Sequence, residues 1–310
     1  MRRTISFLVF FSILTLTEAQ QTPQYSHYLF NQFQINPAVA GSKECLDLRF
    51  GYRNQWVGFE NAPRTGFASV NGAVGKVKRN GTFHGVGIMF EADNTAPFSK
   101  TNVNLAYAYH FKMNRNMRAS LGLFAGFTQY RLDLGSVLIE DGSDPLLFQG
   151  SQTSLLVPEV SPGFWMYNEN FFLGASIKHL TGNTTKDEGE ASLISHFNLS
   201  TGYSTAMSKT TSFIPSLLLK YAPAAPLALD LNAMIDFDNQ LAIGLGYRNG
   251  DAVVALLKFN FFDAFTLGYA YDMTTSPIRT GSSNGHEFVL GISACPGTTR
   301  SGYVPCAAYD

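Results

Sequence analysis

The sequence predicts an all-β fold, a transmembrane antiparallel β-barrel of about fourteen strands, a number within the range of outer-membrane barrels. Three observations predict it. Residues 102–111 alternate strictly: Val103, Leu105, Tyr107, Tyr109 and Phe111 lie on one face, Asn102, Asn104, Ala106, Ala108 and His110 on the other. Successive strand side chains face opposite sides, so this strand has one apolar face and one small or polar face. Charged residues make up only 15% of the 310-residue chain, against roughly 25% in soluble domains. Finally, tight and long links between strands alternate, as periplasmic turns and outer loops do in such barrels.

Composition excludes other classes. The net charge of −1 gives no basis for a nucleic-acid partner. No window after the amino-terminal segment approaches the roughly eighteen continuous apolar residues of a spanning helix.

The chain begins with an expected signal peptide over residues 1–19. Arg2 and Arg3 give the basic start, 5–16 the apolar stretch, and Thr17-Glu18-Ala19 the cleavage site. The apolar stretch is too short to anchor, so export is expected. A leader follows over residues 20–44. Tyr25, Tyr28, Phe30, Phe33 and Ile35 make it too apolar for a free tail.

The barrel is expected over residues 45–294. Strand patterns fall near 45–54, 64–74, 83–91, 100–111, 117–130, 157–168, 170–179, 192–205, 211–221, 227–236, 239–248, 251–261, 263–272 and 285–294. Links after even-numbered strands are mostly tight: 112–116, 168–170, 207–210, 236–239 and 261–262. Links after odd-numbered strands include the long ones, 131–156, 180–191 and 273–284, with 248–251 as a short exception. This parity places both termini in the periplasm.

One face of the strands is rich in Gly, Ala and Ser, with scattered charges: Arg49, Arg53, Glu91, Lys178, Arg248, Lys258, Asp272 and Glu287. Even eight strands leave an interior that side chains only just fill, so a lumen of about fourteen needs water or a plug. The leader is the candidate plug. A tail over 295–310 follows the last strand in the periplasm. Cys295 and Cys306 are placed for a disulfide in an oxidising compartment, the alternative being free thiols.

The periplasmic turns carry Lys76, Lys78, Arg79, Lys112, Arg115 and Arg118. They are candidate partner contacts, or only a solvated rim. The six histidines form no metal-binding or catalytic spacing, and no nucleophile elbow or phosphate loop occurs. No enzyme activity, metal or cofactor is expected. Asp133, Glu140, Asp141 and Asp144 fit either a divalent cation or a solvated outer loop.

Two blocks near the amino end and two near the carboxyl end carry a further signal. The first is Pro23-Gln24-Tyr25-Ser26-His27-Tyr28-Leu29-Phe30-Asn31, then Ile35-Asn36-Pro37-Ala38-Val39-Ala40-Gly41. The second is Tyr52-Arg53-Asn54-Gln55-Trp56, followed by Ala62-Pro63-Arg64-Thr65. The last strands contribute Tyr269-Ala270-Tyr271-Asp272 and Gly285-His286-Glu287. Together they resemble the PorP/SprF family across essentially the mature chain. The resemblance implies an outer-membrane component of the Bacteroidetes type IX secretion and gliding-motility apparatus, shaped like fatty-acid-transporter barrels. It implies partners among outer-membrane lipids, periplasmic ring components and secreted cargo such as adhesins. His27 and Leu29 depart from the commoner Gln and Met of the family, and the tail after Ala294 departs from barrels that end on an aromatic.

The motif residues also have structural readings. Asn36-Pro37 fits the end of a helical leader, since Pro disfavours helix at the preceding residue. Trp56 fits an interface belt. Arg53 fits a pair with an inward acid such as Asp47 or Glu91. For Gln55 and Trp56, structure and partner contact stay open. Two functions fit the barrel: an anchor and cargo platform of the secretion machine, and a channel for small hydrophobic or polar solutes.

Overall fold

The computed structural model describes residues 22–43, 46–75, 81–133, 152–181, 184–185, 191–192, 194–223, 225–262, 264–281 and 284–294. The expected signal peptide, the Cys295–Cys306 pair, the tail, Lys76, Lys78, Arg79, Glu140, Asp141 and Asp144 lie outside the described residues.

Fourteen strands form the wall: β1 (Leu46–Asn54), β2 (Arg64–Val74), β3 (Phe83–Thr95), β4 (Phe98–Lys112), β5 (Arg118–Asp133), β6 (Gln152–Tyr167) and β7 (Phe171–Lys178), then β8 (His196–Tyr203), β9 (Thr211–Tyr221), β10 (Ala228–Phe237), β11 (Leu241–Arg248), β12 (Ala252–Phe261), β13 (Phe265–Thr274) and β14 (Gly285–Ala294). Each pairs antiparallel with its neighbours in sequence. β14 pairs back onto β1, from Leu46 against Ala294 to Asn54 against His286, and closes the barrel. Closure leaves no free edge, which a sheet in lipid requires.

Every window that alternates in sequence is a strand. β3 and β4 run further than expected, leaving residues 96–97 as a two-residue link in place of the longer 92–99 loop that the pattern predicts. Asp93, Asn94, Ser99 and Lys100 pair across the extension. Their polarity resembles a loop, yet the ladder satisfies their backbone groups just as a loop's water would.

The alternation sorts the two faces. On β4, Asn102, Asn104, Ala106, Ala108 and His110 are buried, while Val103, Leu105, Tyr107 and Tyr109 are exposed. The exposed set faces lipid. Tyr109 and Tyr203 mark one end of the apolar band, Tyr52, Tyr221 and Tyr247 the other, as interfacial aromatic girdles do. The end carrying links 75–82, 113–117, 168–170, 204–210, 238–240 and 262–264 is called here the turn end; the opposite end is the loop end.

The leader fills the lumen. Tyr25, Tyr28, Leu29, Phe30, Phe33 and Ile35 are all buried, together with Ser26, His27, Asn31, Gln32 and Gln34. It folds into one short helix, α1 (Gln32–Ile35), and a 3-10 turn, Pro37–Val39. Proline at the first position of that turn loses no hydrogen bond, because its N–H would have had no partner there.

Candidate functional site

Residues 36–41 sit against the wall in the turn-end half. The Asn36 amide donates to the Phe164 carbonyl at 2.8 Å and the Ala175 carbonyl at 3.2 Å. Its oxygen accepts from Ala38 N at 3.0 Å and caps the 3-10 turn. The wall satisfies the leader's carbonyls in sequence: Ser176 Oγ reaches Ile35 O at 2.8 Å, Ser120 Oγ reaches Ala38 O at 2.6 Å, and His110 Nε2 reaches Ala40 O at 2.8 Å. The carbonyl partner assigns His110 the Nε2–H tautomer.

Two wall glycines make this approach possible. A Cβ on Gly85 would lie 1.8 Å from Ala40 O, and one on Gly122 would lie 2.4 Å from Ala38 N. Glycine inside a strand permits this kind of close backbone approach. Gly41 meets Gly85 from the other side, with φ +74 and its N–H on Asn71 Oδ1 at 3.0 Å.

A second clamp lies in the loop-end half, where Ser26 and His27 meet buried charges. Ser26 N and His27 N donate to the Glu287 carboxylate at 2.6 and 3.1 Å. The Ser26 hydroxyl accepts from Arg53 Nη1 at 2.8 Å and Arg248 Nη2 at 3.0 Å. It donates to Asp272 at 2.7 Å. Arg53 joins Asp272 at 2.5 Å and Glu287 at 3.1 Å. Arg248 joins Asp272 at 3.2 Å and Asp230 at 2.9 Å, and Lys220 joins Asp230 at 2.7 Å. Arg53 is 1% exposed and Glu287 0%, so neither charge is hydrated and each depends on its partners. Nearby, Tyr25 donates its hydroxyl to Glu91 and sets its ring edge-on to Phe67.

Phe30 lies between the two clamps in sequence; Arg49 sits 3.7 Å above its ring and pairs with Asp47 at 2.9 Å. Lys43, at the end of the leader, reaches Asp47 at 3.8 Å. The lumen therefore holds a bonded plug, fixed at both ends by side chains from strands far apart in sequence.

The family model described as type IX secretion system membrane protein PorP/SprF matches residues 17–292. The chain belongs to the PorP/SprF family. Its fold is shared with two solved toluene transporters. TbuX of Ralstonia pickettii is 9% identical, with 86% of this chain and 93% of that chain covered and a TM-score of 0.52. TodX of Pseudomonas putida is 10% identical, with 85% and 93% covered and a TM-score of 0.50. At such identity the likeness concerns the fold alone. No curated protein matches the sequence. Family and closed barrel together place this PorP/SprF protein in the outer membrane.

The family-motif residues fall into four places in this PorP/SprF barrel. Asn36, Pro37 and Gly41 form the turn-end seat. Arg53, Asp272 and Glu287 form the loop-end clamp, where Arg53 pairs with Asp272 and Glu287 rather than with Asp47 or Glu91. The reason is closure: Arg53 on β1 lies directly opposite Glu287 on β14. Gln55 and Trp56 are half-buried at the loop-end mouth, lining a recess with Arg53, Asp251, Asp272 and Thr274. His286 faces outward, its Nδ1 2.9 Å from the Tyr269 hydroxyl.

The basic turn set splits. Lys112 and Arg115 are exposed at the turn end. Arg118 was expected beside them on the rim but is buried, its guanidinium donating to Gly81 O at 2.7 Å and lying over Phe83. It faces inward because its strand position shares the phase of Ser120 and Gly122. Ser26, Ser120, His110, Asp230 and Arg248 complete the clamps. The sequence signal for Arg248 was its place among the inward charges; Ser26 carried none beyond its setting in the leader.

Proposed function

We propose that this protein is a plugged, non-enzymatic outer-membrane anchor of the type IX secretion apparatus. It binds periplasmic components of the machine at its turn end and helps export or attach large cargo proteins, such as adhesins, at the cell surface. The observation that carries this reading is the leader clamped at both ends inside the lumen. A wall built around glycines that admit one backbone path, and a buried cluster of Arg53, Arg248, Asp272 and Glu287 bonded to the leader, favour a fixed plug over a solute path. Support also comes from the family, whose members are membrane proteins of this secretion system. A deletion strain tests the proposal. Loss of gliding, or of one surface adhesin restored by the plasmid-borne gene, is expected; unchanged secretion and motility would sink it.

The second reading is a channel for small solutes. It is favoured by the shared fold with the toluene transporters TbuX and TodX. Single-channel recording in planar bilayers separates the two, because stable open currents from the full-length protein belong only to the channel.

A further inference from the structure

The two ends of the leader lie at opposite mouths of the barrel. Lys43 pairs with Asp47 at the start of β1, which is the turn end. Residues 36–41 stay in that half, against Gly85, Gly122 and His110. Ser26 and His27 have crossed into the loop-end half, on Asp272 and Glu287. Thr22, Pro23 and Gln24 lie in the same half, in a recess lined by Ile35, Lys178, Asn198, Leu218 and Lys220. Lys178 is the last residue of β7, Asn198 lies near the start of β8, and Lys220 is next to the end of β9. All three positions belong to the loop end. Thr22, Pro23 and Gln24 are half-buried, whereas everything from Tyr25 to Lys43 is buried.

The leader therefore threads the whole lumen, amino end toward the long loops. Outer-membrane barrels carry their long loops outside the cell. We propose that the amino-terminal end of the plug, at Thr22, is accessible from the cell surface although the chain enters β1 from the periplasmic side. An extracellular partner then meets the plug at the barrel mouth without entering the lumen. The inference rests on the outer-membrane placement and on the direction of the leader; it stands whether the cargo role or the channel role is correct.

Impermeant thiol labelling of intact cells tests it, in full-length protein with Cys45, Cys295 and Cys306 replaced by Ser. Glu60→Cys, on the exposed first loop, reports the outside; Arg115→Cys, on the exposed 113–117 turn, reports the periplasm. Thr22→Cys and Glu60→Cys are expected to react with an impermeant maleimide on intact cells, and Arg115→Cys only after permeabilisation. Reaction of Thr22→Cys only after permeabilisation, with Glu60→Cys labelled on intact cells, overturns the proposal and leaves the orientation standing. Reversal of the two controls overturns both. A second variant, Gln24→Cys, guards against a local loss of seating at Thr22 and is expected to label with the same sidedness.

Discussion

The hydroxyl of Ser26 lies 2.7 Å from Oδ1 of Asp272, although the two residues are 246 positions apart. Two guanidinium groups, Arg53 and Arg248, donate to that same hydroxyl. A buried hydroxyl with three charged partners is costly to remove. Ser26→Ala is expected to destabilise the seated leader by about 1–3 kcal/mol, the range for stranding buried polar groups. Arg53→Ala leaves Asp272 and Glu287 short of a cation, and about 3–5 kcal/mol is expected for a broken buried pair. Urea titration in detergent, followed by chymotrypsin cleavage at the leader aromatics, measures both. Equal effects for the two variants would contradict this ranking.

The glycine seat makes a different prediction. Gly122→Val places a branched side chain where the Ala38 backbone now lies. The expected outcome is a leader cut by chymotrypsin within minutes, in a barrel that still migrates as folded on unheated gels. Valine suits a strand, so the wall itself tolerates the change. A protected leader in this variant would mean that the seat does not depend on close backbone approach.

Removing the plug should open the lumen. Deletion of residues 22–43 is expected to convert a silent or weakly conducting protein into one with stable single-channel currents in planar bilayers. Restoring the leader returns the low conductance. Currents of equal size with and without the leader would show that it does not block the pore.

Lys112 and Arg115 are separated from Arg118 by burial rather than by sequence. Lys112→Glu with Arg115→Glu is expected to leave thermal stability within about 0.5 kcal/mol, as surface changes usually do, while reducing co-purification of periplasmic machine components. Arg118→Ala is expected to do the reverse, lowering stability by about 1–3 kcal/mol through the lost bond to Gly81 O. Co-purification from detergent extracts and heat-shift gels provide the two readouts.

The strands were legible because a period of two survives in a wall that meets lipid on one side and the lumen on the other. The partners across the lumen were not. Alternation says that Arg53 points inward, but it does not say which acid it meets. Asp47 and Glu91 were as close to hand in the sequence as Asp272 and Glu287 were remote. Closure supplies the missing step, since it makes β1 and β14 neighbours and brings Glu287 opposite Arg53. The seat was hidden for a similar reason. Gly85 and Gly122 read as small wall residues, and only the path of the leader shows that their missing side chains are occupied by the backbone of Ala38 and Ala40. Arg118 shows the limit of reading turns by charge, since a basic residue at a strand end belongs to whichever face its phase selects.

The wall is uneven in height. β4, β5 and β6 contain 15, 16 and 16 residues, and β7, β8 and β11 only 8 each. At about 3.4 Å per residue and a tilt near 40°, the long side stands roughly 40 Å tall and the short side about 20 Å. The apolar band of such barrels is about 25 Å, so the surplus rises above the bilayer on one side only. Toward its outer edge Asp93, Asn94, Ser99 and Arg131 are polar, with Thr95, Phe98 and Leu132 lying beyond them. The mouth is thus a slanted hood. Its rim stands high along β4–β6, drops at once to β7 and β8, and is equally low at β11, near the recess of Trp56 and Asp251.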